Sequence, residues 1–446
     1  MSVSKIVAAA ASGVGGAGLD VDEVFSTYVY DGSSSGQTIT NGIDLSGEGG
    51  LVWTKDRTST SAQHALFDTE RGVLKGLASS STAAEANETG SVTAFNSNGY
   101  TLGTWSGVNY NGIDYVSWTW RKAPRFFDVQ TYSGTGSAQN ISHSLGSVPG
   151  MILVKKTNAS TSWTIYHRSL GATKYLLFDT SDAGTQTARW NDTAPTSTQF
   201  TVGTAGGTND SGDTYVAYLF AHNDSGDGEF GPDSDQDIIK CGTYTGNANS
   251  TGPIINLGFE PQWLMIKRTD STDNWYMLDT MRGILTNGGN DTYLYANTSG
   301  AEATVSEVLK VTATGFQLED GFGGWNANGG TYIYMAIRRG PLAVPDDATK
   351  VFAINTRSSS DGEGKYTSGF PVDFSLANNY DQAGNTFAGT RLTNAHLQTN
   401  STVAESTSAT DYQWDHNDGL GIGEDGAFFG GSTNNINWMW KRAKGF

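Results

Sequence analysis

One alternating stretch occurs four times in the chain, and any fold must accommodate all four copies. YVSWTWRKA (115–123) comes back as TYVAYLFAHN (214–223), as TYIYMAIRRG (331–340) and as INWMWKRAKGF (436–446). A β-strand turns successive side chains to opposite faces, so Val116, Trp118 and Trp120 share one face. The matching residues are Val216, Tyr218 and Phe220, then Ile333, Met335 and Ile337, then Ile436, Trp438 and Trp440. All of them are large and apolar. Ser117 and Thr119, or Asn435 and Asn437, take the opposite face. This is the pattern of a strand with one side on a core and the other on water or a loop. We read it as the closing strand of a module used four times, and expect Trp118 and Trp438 to be buried and Thr119 to matter far less.

The segments between the copies repeat in order. In the first they are FSTYVY from Phe25, LVWTKDR from Leu51, HALFDTERG from His64 and VTAFNSNGYTLG from Val92. The lysines of the second strand, Lys55, Lys155 and Lys267, lie 100 and 112 residues apart. That spacing suits a β-sandwich of about seven strands. With 57 Gly, 9 Pro and 16% charged residues, short strands joined by polar turns fit better than long helices. The expected fold is all-β, with tandem antiparallel β-sandwich modules of jelly-roll or lectin-like type strung as a rod or curved array. The expected divisions are a flexible N-terminal anchor arm (1–24), modules at 25–126 and 127–223, an acidic linker (224–237), a third module (238–340), a linker (341–350) and a divergent fourth module (351–446).

Several function classes are disfavoured. The formal charge of −18, from 27 basic and 45 acidic residues, opposes binding to a nucleic-acid backbone. The lone Cys241 rules out an internal disulfide framework. IVAAAASGVGGAG (6–18) is too short and glycine-rich for a membrane span and lacks a basic flank. With no export signal expected, the sequons at Asn87, Asn158 and Asn400 read as accidental.

Motifs that could carry chemistry fail on context. GVGGAG (13–18) matches a dinucleotide fingerprint, but strand-like LDVDEVF follows where a helix should open. GSSSG (32–36) has the nucleophile-elbow spacing around Ser34, yet it lies between two strands and reads as a hairpin loop. DGEGK (361–365) lacks the first glycine of a phosphate loop. The acidic stretch 224–237 could offer calcium its oxygen ligands, but Ile238 stands where an EF-hand needs glycine, so a solvated linker is preferred. None of the six histidines falls in a zinc motif. The pairs Asp68 with Arg71 and Asp279 with Arg282 read as charge pairs pinning a surface turn, a polar ligand contact being the alternative. No catalytic, cofactor or metal residue is assigned.

The order of pieces carries a resemblance. LVWTKDR through DTERG, NSNGYTLG, YVSWTWRKAPRFFDV and DIIKCGTYTGN together resemble the tandem modules of virion structural proteins of tailed phages, notably marine phages of cyanobacteria. The resemblance covers nearly the whole chain after the first residues. It implies a non-enzymatic structural or adhesive component of a virion assembled in the host cytoplasm, most naturally a tail fibre or tail-associated protein. Its implied partners are other virion proteins, a host-surface glycan or protein receptor, and further copies of the chain, without nucleic acid or membrane insertion. Repeated modules would multiply weak contacts into avidity, with end loops rich in Asn, Asp, Gly, Trp and Tyr as contact points. The second copy departs from the pattern, with His167 and Leu170 where the others have Asp and Arg. Rival readings are a capsid decoration or head-fibre protein, a polysaccharide depolymerase, and a free carbohydrate-binding module.

Overall fold

The computed structural model describes residues 18–181, 184–186, 188–284, 290–340, 342–358, 365–380, 385–393, 395–406, 412–422 and 434–443. The GVGGAG motif and the anchor arm up to residue 17 lie outside them, as do residues 361–364 of DGEGK. Among the described residues 44% are in strands and 5% in helix, and every strand pairing is antiparallel, so the fold is all-β.

Each repeat folds as two facing sheets. In the first, the larger sheet runs in the order Phe25–Asp31, Asp114–Arg121, Gly50–Asp56, Ala65–Asp68, and the smaller in the order Gln37–Thr40, Gly99–Leu102, Val92–Asn96. The closing strand therefore lies inside its sheet, with Trp120 paired to Phe25 on one side and Leu51 on the other. The same register recurs as Phe127, Phe220 and Met151, as Ile239, Ile337 and Trp263, and as Phe352, Trp440 and Phe374.

A repeated lock holds the end of each of the first three sandwiches. Asn109, Asn209 and Asn326 end single helical turns six residues before the tyrosine that opens the closing strand. Asn109 donates to the carbonyls of Ser35 and Gly103, and accepts from Ser33 N–H at 2.8 Å and Gln37 Nε2 at 2.7 Å. Asn209 makes the matching bonds with Ser137, Gly203, Thr135 and Gln139. The tyrosines Tyr115, Tyr215 and Tyr332 donate back to the helical turn and stack on Tyr30, Tyr132 and Tyr244 at 5.2, 5.1 and 4.9 Å. Four bonds at Asn109 and at Asn209, and three at Asn326, to Asn247, Asn249 and Asp320, make each end rigid.

The sandwiches are not beads on a rod. Val52, Phe67 and Tyr115 face the small sheet of the first sandwich and form its private core with Ile39, Tyr100 and Leu102. Val116, Trp118 and Trp120 point the other way, into one cluster shared with Tyr218 and Phe220 of the second repeat and Ile333, Met335 and Ile337 of the third. Three large sheets thus bring their outer faces together around a common axis. At its centre Trp120 lies edge-on to Phe220 at 5.8 Å and to Trp263 at 5.7 Å. The array expected from the sequence is corrected to a closed ring, because each large sheet is apolar on both faces and one small sheet can cover only one of them.

Two further expectations change for the same reason. Ser117 and Thr119 are fully buried against their own small sheet, where Asn41 donates to Thr119 Oγ1 at 2.9 Å. Trp438 is only half-buried, because the outer face of the fourth sandwich does not join the ring.

The acidic linker is folded rather than loose. Asp237 accepts from the amides of Gly226 and Gly228, Asn223 binds Ile238 and Ile239, and Phe230 is buried against Phe126. Gly231 N–H donates to Leu19, and Val21 and Val24 are buried in the central cluster, so residues 18–24 belong to the ring. The second linker is exposed over most of 343–350. Limited proteolysis should therefore cut first in 343–350, separating the fourth sandwich from an intact ring; equally early cuts in 224–237 would contradict the pinned linker. Trp118→Ala should lower stability by about 3–5 kcal/mol in thermal or denaturant unfolding. Trp438→Ala, at the matching position, should cost clearly less.

Candidate functional site: the seams of the ring and the cleft beside it

The polar residues singled out by the sequence converge on the seams between sandwiches. Asp68 and Arg71 form a buried pair 2.6 Å apart, and Asp68 accepts a 2.8 Å bond from the Tyr218 hydroxyl of the second repeat. Asp279 and Arg282 lie 2.7 Å apart with no side-chain exposure, and Asp279 accepts from the Trp118 indole of the first repeat at 3.1 Å. The Arg282 guanidinium sits over that indole, 5.3 Å from its centroid. These pairs are not surface turns: each receives the donor carried by a neighbour's closing strand.

The departure in the second repeat follows from the same geometry. The closing strand it meets carries Met335, which has no donor, and His167 donates instead through Nε2 to the Tyr334 carbonyl at 3.1 Å. Its Nδ1 accepts the Ser169 N–H, so the ring is held as the neutral Nε2–H form. The three contacts run in one direction, from first to second, second to third and third to first.

Two more sets of bonds repeat with the same rotation. Trp163 donates its indole N–H to Ala78 at 2.9 Å and Trp275 to Leu177 at 3.2 Å, while His64 donates through Nε2 to Tyr295 at 3.0 Å. The backbone amides of Glu85, Gly184 and Glu302 donate to the carbonyls of Thr157, Thr269 and Arg57. The third-to-first seam is the one between repeats distant in sequence, and it carries an added ion pair: Glu302 lies 2.8 Å from both Arg57 and Arg282. Burial alone would raise the Glu302 carboxyl, but the two guanidinium groups more than offset this and hold it below the ordinary range.

The repeated lysines are buried too. Lys155 donates to the carbonyls of Thr82 and Thr161, and Lys55 to those of Asp56 and Ser299. Burial pulls both amines down to about 8. Two other sequence candidates fall within the described residues. Ser34 is in the left-handed region (φ 53°) in a loop that joins the two sheets of its sandwich, which replaces the hairpin expected there. Its hydroxyl accepts the Asn111 N–H. Cys241 is buried and its thiol is pushed up to about 12 by that burial. Among the described residues no three His, Cys, Asp or Glu side chains gather as a metal site.

Outside the ring, a cleft of about 680 Å³ opens where the fourth sandwich meets the edge strand Phe25–Asp31. Asn417 crosses its floor, its side chain bonding both the N–H and the carbonyl of Val29 and so capping that sheet edge. Arg57 joins Asp415 at 3.0 Å, and Lys365 joins Asp418 at 2.6 Å. Tyr28, Asp31, Asp114, Gln413 and His416 complete a lining of amide, carboxylate and phenol groups. Burial, and then the Asp418 charge, raise the Tyr28 phenol above its ordinary value.

The directional seams escaped sequence reasoning because a period of two assigns residues to a face and not to a partner. A signal was present: where the closing strand centres on Trp or Tyr, the neighbour offers Asp, and where it centres on Met, the neighbour offers His.

The profile of DUF7483, a domain of unknown function, matches residues 20–341, the extent of the ring. No curated protein and no solved structure matches the chain.

His167 is held down to about 4 by burial, against an ordinary value of 6.5. The folded ring then binds fewer protons than the unfolded chain between those values, so stability present above pH 6.5 is lost as pH falls toward 4. His167→Gln, which keeps a donor toward Tyr334, should shallow the fall in melting temperature across that interval. An unchanged slope would mean that His167 is not a seam group that titrates on unfolding.

Proposed function

The chain belongs to the DUF7483 family, and from that premise we propose that it is a non-enzymatic structural and adhesive component of a phage virion, placed at the tail or its fibres. The observation that carries this reading is the use of its buried Asp, Arg, His and Lys side chains, which hold one sandwich to the next. Buried polar groups arranged for rigidity suit a particle part that must keep its shape under load. The resemblance of the repeated strands to phage virion modules supports the placement, and a capsid decoration or head-fibre role uses the same architecture.

The adhesive half of the proposal rests on the cleft beside the ring. Carboxylates, amides and a half-buried tyrosine around an open groove match the hydroxyls and apolar faces of a sugar. Host-envelope oligosaccharides should bind the full chain, and Tyr28→Ala with Asp418→Ala should abolish that binding without changing the melting temperature. Gold-labelled antibody should mark the tail of particles containing the protein. Shortening of the oligosaccharides on incubation would replace this reading with a depolymerase, and labelling of the head would move the protein to the capsid.

A further inference from the structure

The fourth sandwich repeats the large sheet of the other three, and among the described residues nothing covers its outer face. Register places Ile354, Trp438, Leu376, Ala388 and Leu397 in one row across five strands. A second row sets Phe352, Trp440 and Phe374 side by side, with Trp440 5.2 Å from each phenylalanine ring. Ile354 is 54% exposed, Leu397 48% and Phe374 37%, and both tryptophans are partly exposed. By register Trp438 occupies the place of Trp118, Tyr218 and Met335, and Trp440 that of Trp120, Phe220 and Ile337. Those residues are all buried against sister faces at the ring centre.

We infer that the outer face of the fourth sandwich is the surface through which copies of this chain associate, fourth sandwich to fourth sandwich. In the three other instances within this chain, a face of this register is covered by another face of the same kind. The two rows contain no charged side chain, so they form a neutral region on a chain of formal charge −18, where copies can approach without facing like charges. A self-complementary patch is all that a symmetric contact requires. Aromatic side chains gathered at the middle of a sheet face are also the composition of interface cores.

The sheet also differs from its sisters in a way that suits reversible contact between chains. Asn378 stands in the place of the buried lysines, Thr390 in that of Asp68, His167 and Asp279, and Thr386 in that of His64, Trp163 and Trp275. The polar bonds that lock the ring are therefore replaced by short neutral side chains, while the apolar rows are kept. Five strands of four to six residues give a face roughly 20 Å on each side. That is at the small end for a specific interface, so association should be concentration-dependent and not obligate. This surface stands whether or not the chain is a particle component.

The test is sedimentation velocity of the full chain from low to high micromolar concentration, alongside Ile354→Lys and Leu397→Glu. Both substitutions fall at half-exposed positions, and a melting curve on each identifies the variant that keeps its fold. The expected result is an oligomer of the wild-type chain that dissociates on dilution and is lost in a variant of unchanged melting temperature. A wild-type chain that stays monomeric throughout, including one whose aromatic rows bind an oligosaccharide instead, would overturn the inference. So would a folded variant that assembles as well as the wild type.

Discussion

Three sheet faces meeting on one axis set the terms for everything else in this molecule. Each of the first three closing strands is covered on both sides, by its own small sheet and by its sisters, so it can present only groups that a dry core accepts. Trp118 and Tyr218 bring hydrogen-bond donors into that core, and a buried donor without an acceptor costs about 1–3 kcal/mol. Asp279 and Asp68 supply the acceptors, and each aspartate is in turn balanced by an arginine. Where Met335 brings no donor, a neutral histidine bonds the backbone and no charge is buried. The scheme is not complete at every ring: among the described residues the Trp120 and Trp263 indole N–H groups meet no acceptor. Their edge-to-face contact and the surrounding packing must offset that cost.

Directionality gives the ring its closure. Each sandwich offers the strand end at Asp68, His167 or Asp279 and the segment up to Glu85, Gly184 or Glu302 to the next, and accepts the same from the previous one. A head-to-tail contact of this kind either closes or propagates. It closes here after three, with the third-to-first seam reinforced by Glu302 between Arg57 and Arg282. The residues matched by the family profile, 20–341, take in the three sandwiches of the ring. The fourth sandwich leans on it through Asp373 and Arg442 against Arg339 and Glu260, and through Asn417 on Val29.

The all-β class, the strand positions and the recurrence of one register were legible in the sequence. Alternation at Val116, Trp118 and Trp120 is a local property of a pleated strand, and Lys55, Lys155 and Lys267 mark one position in three copies. The locks at Asn109, Asn209 and Asn326 were equally legible, six residues ahead of a tyrosine each time. They went unread because a lone asparagine in a loop has no pattern until its partners are known.

What the sequence determined by itself is which side chains share a face. It could not determine what each face touches, because contacts between strands a hundred residues apart depend on how sheets stack. Ser117 and Thr119 looked solvent-facing yet lie in a private core, since small polar side chains fit beneath a second sheet once their hydroxyls find partners. Asp68 and Arg71 looked like a surface turn until the second sandwich brought Tyr218 over them. Trp118 and Trp438 have the same local signature, and only tertiary packing places one at a ring centre and leaves the other partly exposed. The strand pattern is written in adjacent residues; burial is a property of the partner that arrives.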